Sequence, residues 1–221
     1  MIPPTSIDGT DITGATIDGT DVQEITVDGD VVFSAGPTVT VLDDFEDNNT
    51  NGWNPLVGAT KSITNFAAEG SFAMETTGTT SNNSANFKFY SFPTNKEFEL
   101  RFEGAWSSLP GFFAFQLRER DSSLNFVGTA TTMGYVSGDL VIDTGAGRTT
   151  LGSVTSNNQY IEGRIRVDPV NQTVVSCEFG PYSATLNESY EDNVTINAFS
   201  LDLDNANFNL FLDDVRLVTD F

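Results

Sequence analysis

The side chains that could do chemistry in this chain are nearly all carboxylates. The 221 residues include 31 Asp and Glu against 10 Lys and Arg, and they contain no His. The chain therefore lacks the most common general base and the most common zinc ligand. Serine-type triads and zinc hydrolysis are excluded, and paired carboxylates are the chemistry left to consider.

Two carboxylate pairs, Glu97 with Glu99 and Asp202 with Asp204, could in principle act together on a glycosidic bond. Each pair alternates with Phe or Leu, so its acids face away from the buried side of a strand. The only thiol, Cys177, lies in an apolar alternation, which predicts a buried and unreactive group. We therefore expect no enzyme.

The formal net charge of −21 limits which partners the chain can bind and indicates the salt concentration in which it works. Such a surface repels nucleic acid and anionic membranes, and molar salt would screen its self-repulsion within about 3 Å. The charge predicts a halophilic protein, with a mesophilic acidic domain that binds divalent cations as the alternative. The first ten residues do not resemble a signal peptide, and no apolar run reaches membrane-spanning length. We expect no membrane insertion, and an extracellular location reached by a route such as virus assembly.

The N-terminal region is repetitive, with a period of ten residues. An Asp-Gly pair follows Ile7, Ile17 and Val27, and each is flanked by β-branched residues, which predicts tight hairpins. Strands this short cannot bury a core alone. We therefore expect residues 1–36 to be an anchor that pairs with neighbouring chains, or else a ribbon packed on its own main domain.

Residues 37–221 follow a different pattern, which begins after the strand-breaking Gly36 and Pro37. Short runs alternate with period two between turns rich in Gly, Asn, Asp, Ser and Thr. The clearest run places Phe98, Leu100, Phe102 and Trp106 on one side and charged residues on the other. We predict an all-β chain whose main domain is a two-sheet antiparallel jelly-roll sandwich.

The ends of this domain resemble known proteins. The stretch from Val41 to Asn48, with Trp53 following, and the closing stretch Phe211 to Leu217 are similar to those of jelly-roll carbohydrate-binding modules and concanavalin A-like lectin domains. The resemblance covers residues 39–219. It implies first and last strands that lie side by side and carboxylates on both that hold a structural calcium. The matching residues are Glu46 and Asp213, and less closely Asp44 and Asp214.

Apolar alternation changes phase at Asp213 and Asp214, because Leu210 and Leu212 fall on even positions whereas Val215 and Leu217 fall on odd ones. A β-bulge there would turn both carboxylates to one place, and calcium prefers six to eight oxygens. The alternative is a solvated acidic pair on a sheet edge. For sugar binding the Trp and Tyr residues are candidates, but core packing is the better prediction for most, so no sugar site follows.

The repeat resembles the attachment segments of tailed-virus structural proteins, including those of viruses that infect halophilic archaea. This resemblance implies a virion structural protein that forms an oligomeric surface projection, either a capsid turret or decoration or a tail or baseplate fibre. The expected partners are further copies of the chain in a trimer or pentamer, other virion proteins bound through residues 1–36, and host-surface glycans. The alternative is a monomeric carbohydrate-binding module secreted by a haloarchaeon.

Overall fold

The computed structural model describes residues 36–56, 59–78, 84–107, 112–153, 159–203 and 208–221, together with short strands between Ser6 and Ser34. Every regular element in these residues is a β-strand, as predicted. None of the described residues belongs to a helix that could cross a membrane.

The N-terminal repeat forms three separate antiparallel hairpins within the described residues. They are β1 (Ser6–Ile7) with β2 (Thr10–Asp11), β3 (Thr16–Ile17) with β4 (Thr20–Asp21), and β5 (Glu24–Val27) with β6 (Asp30–Ser34). The closing pairs, such as Ile7 with Thr10, leave two residues for each connection. These two are the Asp-Gly of the repeat, so the predicted hairpins are confirmed. The chain divides into Met1–Thr38 with Asp220–Phe221, and Val39–Thr219.

The larger unit is a sandwich of two antiparallel sheets. One sheet has eight strands, which are β7 (Thr38–Asp43), β9 (Ala59–Thr64), β10 (Ala73–Gly78), β12 (Phe98–Trp106), β17 (Ile161–Asp168), β18 (Thr173–Phe179), β19 (Tyr182–Ser189) and β21 (Asn209–Thr219). Their order is β19-β18-β17-β12-β21-β10-β9, with β7 also paired to β21. The pairing of β7 with β21 places the first and last strands of the sandwich side by side, as the resemblance implied.

A seven-stranded sheet forms the other layer, and its strands are β8 (Asn54–Pro55), β11 (Ser84–Phe89), β13 (Phe112–Arg120), β14 (Phe126–Val136), β15 (Asp139–Thr144), β16 (Gly147–Ser153) and β20 (Ala198–Leu203). Their order is β16-β15-β14-β13-β20-β11-β8. The predicted jelly-roll sandwich is confirmed.

Aromatic rings fill the space between the sheets. Phe102 on β12 lies 4.4 Å from Phe115 on β13 and 5.3 Å from Phe199 on β20, measured between ring centroids. The predicted inward residues Phe98, Leu100, Phe102 and Trp106 are at most 1% exposed. Gly163 pairs with Phe102, and a Cβ there would lie 2.4 Å from the Phe102 ring. Glycine at this position therefore makes room for the largest cluster of rings.

Candidate functional site

The residues that the resemblance marked for calcium line one pocket of about 180 Å³, together with Glu69 and Arg216. Arg101 pairs with Arg216 and Glu103 with Asp213, so β21 has one extra residue between these pairs. This is the bulge that the change of phase predicted. It brings Asp213 and Asp214 to the same pocket as Asp44 and Glu46.

Two of these carboxylates hold the loop that follows β9. Asp213, which is 1% exposed, accepts hydrogen bonds at Oδ2 from the backbone N–H groups of Ala68 and Glu69, at 2.9 and 3.1 Å. Glu46 Oε1 accepts from the backbone N–H groups of Ser71 and Phe72, at 2.8 and 2.9 Å. In the part of the chain that the structure describes, no three acidic or thiol side chains are arranged to hold a metal ion. In this arrangement, these carboxylate oxygens accept hydrogen bonds from backbone N–H groups.

The acidic groups around this pocket repel one another. Burial raises the pKa of Glu103 to about 7, and repulsion from the neighbouring Glu162 is the second cause. Glu103 lies between Glu162 and Asp213 on the adjacent strands. Because the folded pKa lies above the ordinary 4.5, this group's contribution to stability is present below pH 4.5 and is lost as pH rises toward 7. Burial also raises the pKa of Asp213 and of Asp214.

A second surface lies on the outer side of the seven-stranded sheet. Gln116 points away from the core, since its neighbours Phe115 and Leu117 belong to the core. Its Nε2 donates to Thr132 Oγ1 at 3.1 Å, and that hydroxyl donates to Glu191 Oε1 at 3.0 Å. Gln116 and Thr132 are each only 6% exposed. We call Gln116, Thr132, Ser200, Arg118 and Asp202 the polar layer.

Aromatic rings lie beside the polar layer on the same outer side. The Arg118 guanidinium lies 5.1 Å from the ring centroid of Phe126, and that of Arg120 lies 4.1 Å from the ring centroid of Phe87. Phe126 on β14 is 54% exposed and Phe89 on β11 is 37% exposed. Because β13 and β20 lie between these two strands, the exposed rings flank the polar layer.

Asp202 faces outward, as the alternation predicted. Its side chain is nevertheless only 16% exposed, because it lies in an ion pair on that face. Arg118 donates to both of its oxygens, at 2.8 and 3.4 Å, and Ser200 Oγ donates at 3.1 Å. Asp204 lies outside the described residues.

Other predicted residues fall where the alternation placed them. Trp53, Trp106, Tyr135 and Tyr190 are at most 5% exposed and belong to the core, which leaves none of them as a sugar platform. Burial raises the pKa of the Cys177 thiol to about 12, which agrees with the inert thiol that was expected. The exposed rings Phe89 and Phe126 were missed, because Phe alone does not distinguish a core position from a surface one.

Neither a protein-family model nor a curated protein sequence matches this chain. Solved structures do. A protein of unknown function from Shewanella oneidensis is similar at 13% identity and TM-score 0.53, covering 82% of this chain and 86% of that chain. The binding domain of botulinum neurotoxin DC, solved in complex with rat synaptotagmin II, is similar at 11% identity and TM-score 0.53, covering 81% and 47%.

A xylan-binding domain, the first CBM22 module of Paenibacillus barcinonensis Xyn10C, is similar at 14% identity and TM-score 0.45, covering 79% of this chain and 90% of that one. The Shewanella protein and the neurotoxin domain, each with a TM-score of 0.53, share the fold of this chain. At such identities a common sandwich does not determine a common ligand, and the ligand depends on the surfaces of this chain.

Proposed function

We propose that the sandwich is a non-catalytic glycan-binding domain and that the outer side of its seven-stranded sheet is the binding face. The observation that carries this proposal is the polar layer of fixed hydrogen-bonding side chains between the exposed rings of Phe89 and Phe126. Sugars need both parts, because their hydroxyl groups take directed hydrogen bonds and their C–H faces pack on aromatic rings. The resemblance of the domain's ends to carbohydrate-binding modules supports the same conclusion.

We predict that the full chain binds members of an array of neutral and acidic glycans in about 2 M NaCl, and that Phe126→Ala weakens this binding about 3- to 10-fold. Titration calorimetry on the best array ligand measures the loss. Phe66→Ala is the matched control, because Phe66 is 38% exposed and stacks on Tyr160, beside the eight-stranded sheet. Equal losses in both variants would place the site elsewhere, and an array without binders would refute glycan binding.

We further propose that the chain is a virion structural protein exposed on the particle surface in high salt, as a turret, decoration or fibre. Residues 1–36 would anchor it to other virion proteins and join its copies into a trimer or pentamer, leaving the sandwich to meet host-surface glycans. Three hairpins that each form a separate two-stranded sheet in the described residues support this anchor, since isolated hairpins are marginally stable in water. The charge of −21 supports the high-salt setting.

We expect the intact chain to have the mass of a trimer or pentamer in about 2 M salt, and a chain that starts at Thr38 to be a monomer. Light scattering on both measures this, with circular dichroism to verify that the shorter chain keeps its β-structure. If both the intact and the shortened chain are monomers, self-assembly through the repeat is contradicted. They would favour the alternative function, a secreted carbohydrate-binding module that works alone.

We also propose that Glu46, Asp213, Asp44 and Asp214 hold a structural calcium ion. Their convergence on one pocket supports the proposal. Glu46 and Asp213 already accept backbone hydrogen bonds, so the ion would depend on their remaining capacity and on carboxylates that turn further into the pocket.

A further inference from the structure

Two arginines lie close together in the proposed glycan-binding face. Both side chains lie on the outer side of the seven-stranded sheet. The Arg118 guanidinium pairs with Asp202, and the Arg120 guanidinium lies over the ring of Phe87, whose partner on the adjacent strand is Ser200 of the polar layer. Acidic residues outnumber basic ones by 31 to 10 in this chain, yet Arg120 forms no ion pair with any described residue. It is 4% exposed, and its Nη1 donates to the carbonyl oxygen of Leu124 at 3.0 Å.

The hydrogen-bonding capacity of these two guanidinium groups is not used up. The Nε atoms of Arg118 and Arg120 are buried and have no acceptor in the described structure. Buried N–H groups nearly always have a partner, so donors left without one in a binding face point to an acceptor that arrives from outside. Gln116, 6% exposed in the same layer, also has an unpartnered Oε1.

The local charge is also unbalanced around Arg120. Asp202 accepts a hydrogen bond directly from Arg118. Glu191 also lies close enough to Arg118 for the arginine's charge to act on the pKa of Glu191. Burial first, and then repulsion by Arg118, lowers the pKa of Arg120, and attraction to Asp202 opposes this shift only in part. A negatively charged ligand group would relieve that repulsion and would also supply hydrogen-bond acceptors.

We propose that Arg118 and Arg120 receive an acidic group of the bound glycan, a carboxylate of a uronic acid or a sulfate ester. This inference rests on the proposed glycan-binding function and specifies its ligand class. A guanidinium fork matches the paired oxygens of either group, and the sugar ring would pack on Phe126. In the absence of ligand, the carboxylate of Asp202 then acts as an internal anion that pairs with Arg118.

Calorimetry on the full chain in about 2 M NaCl tests the ligand class with three hexasaccharides: neutral xylohexaose, an oligogalacturonate and a sulfated carrageenan fragment. We expect one acidic ligand to bind about 10- to 100-fold more tightly than xylohexaose, and the better of the two distinguishes carboxylate from sulfate. Equal binding of all three, or preference for xylohexaose, overturns the inference and leaves glycan binding intact. Binding of none overturns it too, while the glycan array decides separately on the proposed function.

Variants test the arginines themselves. Arg118→Gln and Arg120→Lys should each weaken acidic-ligand binding about tenfold or more, and each should reduce the preference for the acidic ligand over xylohexaose. Arg164→Gln is the control for Arg118→Gln, because it removes the same charge on the outer side of the other sheet, where Arg164 pairs with Glu162. Arg120→Lys keeps the charge, so it tests the guanidinium shape alone. If Arg164→Gln weakens binding equally, only the overall charge matters and the inference fails.

Asp202→Asn provides a test that loss of folding cannot imitate. Removing the internal anion should tighten acidic-ligand binding several-fold, because Arg118 no longer has to leave a carboxylate. A purely structural role for the Arg118–Asp202 pair would instead lower or preserve affinity. Either of those results, with circular dichroism unchanged, overturns the inference.

Discussion

Replacing Phe115 with Ala is expected to lower the free energy of unfolding by about 3–5 kcal/mol. Phe115 is fully buried, and its ring lies 4.4 Å from that of Phe102 and 6.3 Å from that of Phe199, between centroids. A Cβ at Gly104 would lie 2.8 Å from the Phe115 ring, so the ring occupies the space which that glycine leaves. Its removal therefore opens a cavity that the backbone and rings of β12 and β20 would have to close.

Chemical denaturation in about 2 M NaCl measures this loss, and the melting temperature should fall by roughly 10 °C. Phe126→Ala is the matched control, since the same substitution at a 54% exposed ring should cost less than about 1 kcal/mol. Equal costs at the two positions would contradict the two-sheet core described above.

Calcium is expected to stabilise the chelator-treated protein by about 2.7 kcal/mol when its concentration is a hundred times the dissociation constant. The expected reason is charge: burial, opposed by Arg216, raises the pKa of Asp214, and repulsion from Glu69 and Asp44 adds to the rise. A divalent cation in the pocket would offset that repulsion and would favour the ionised carboxylates. Calorimetric melting with and without calcium measures the effect.

The background of about 2 M NaCl makes this test specific, because it already screens the general surface charge. Glu46→Gln should abolish most of the calcium-dependent shift, whereas Glu178→Gln on β18, an acid of the same type outside the pocket, should leave it unchanged. A shift that magnesium reproduces, or that survives Glu46→Gln, would assign the effect to the surface as a whole. No shift at all would leave these carboxylates as supports of the loop after β9 and nothing more.

Local features of this protein follow from the sequence by itself. The period of two determines which side of β12 is buried, and Phe98, Leu100 and Phe102 are all in the core. The Asp-Gly pairs determine the hairpins, and the change of phase at Asp213 and Asp214 determines the bulge in β21. Each of these properties depends only on neighbours within a few residues along the chain, so the chain's own pattern is sufficient.

The surfaces with functional meaning were decided by the tertiary structure. Asp213 meets the backbone of Ala68, and Gln116 meets Thr132, because strands distant in sequence pair with a particular register. The sequence pattern predicted that Asp202 faces outward, but it did not predict that Arg118 would lie against it and that both would be nearly buried. Alternation along a strand determines which side of the sheet each residue occupies. Which side chains share that side depends on strand order, and strand order is a property of the whole folded chain.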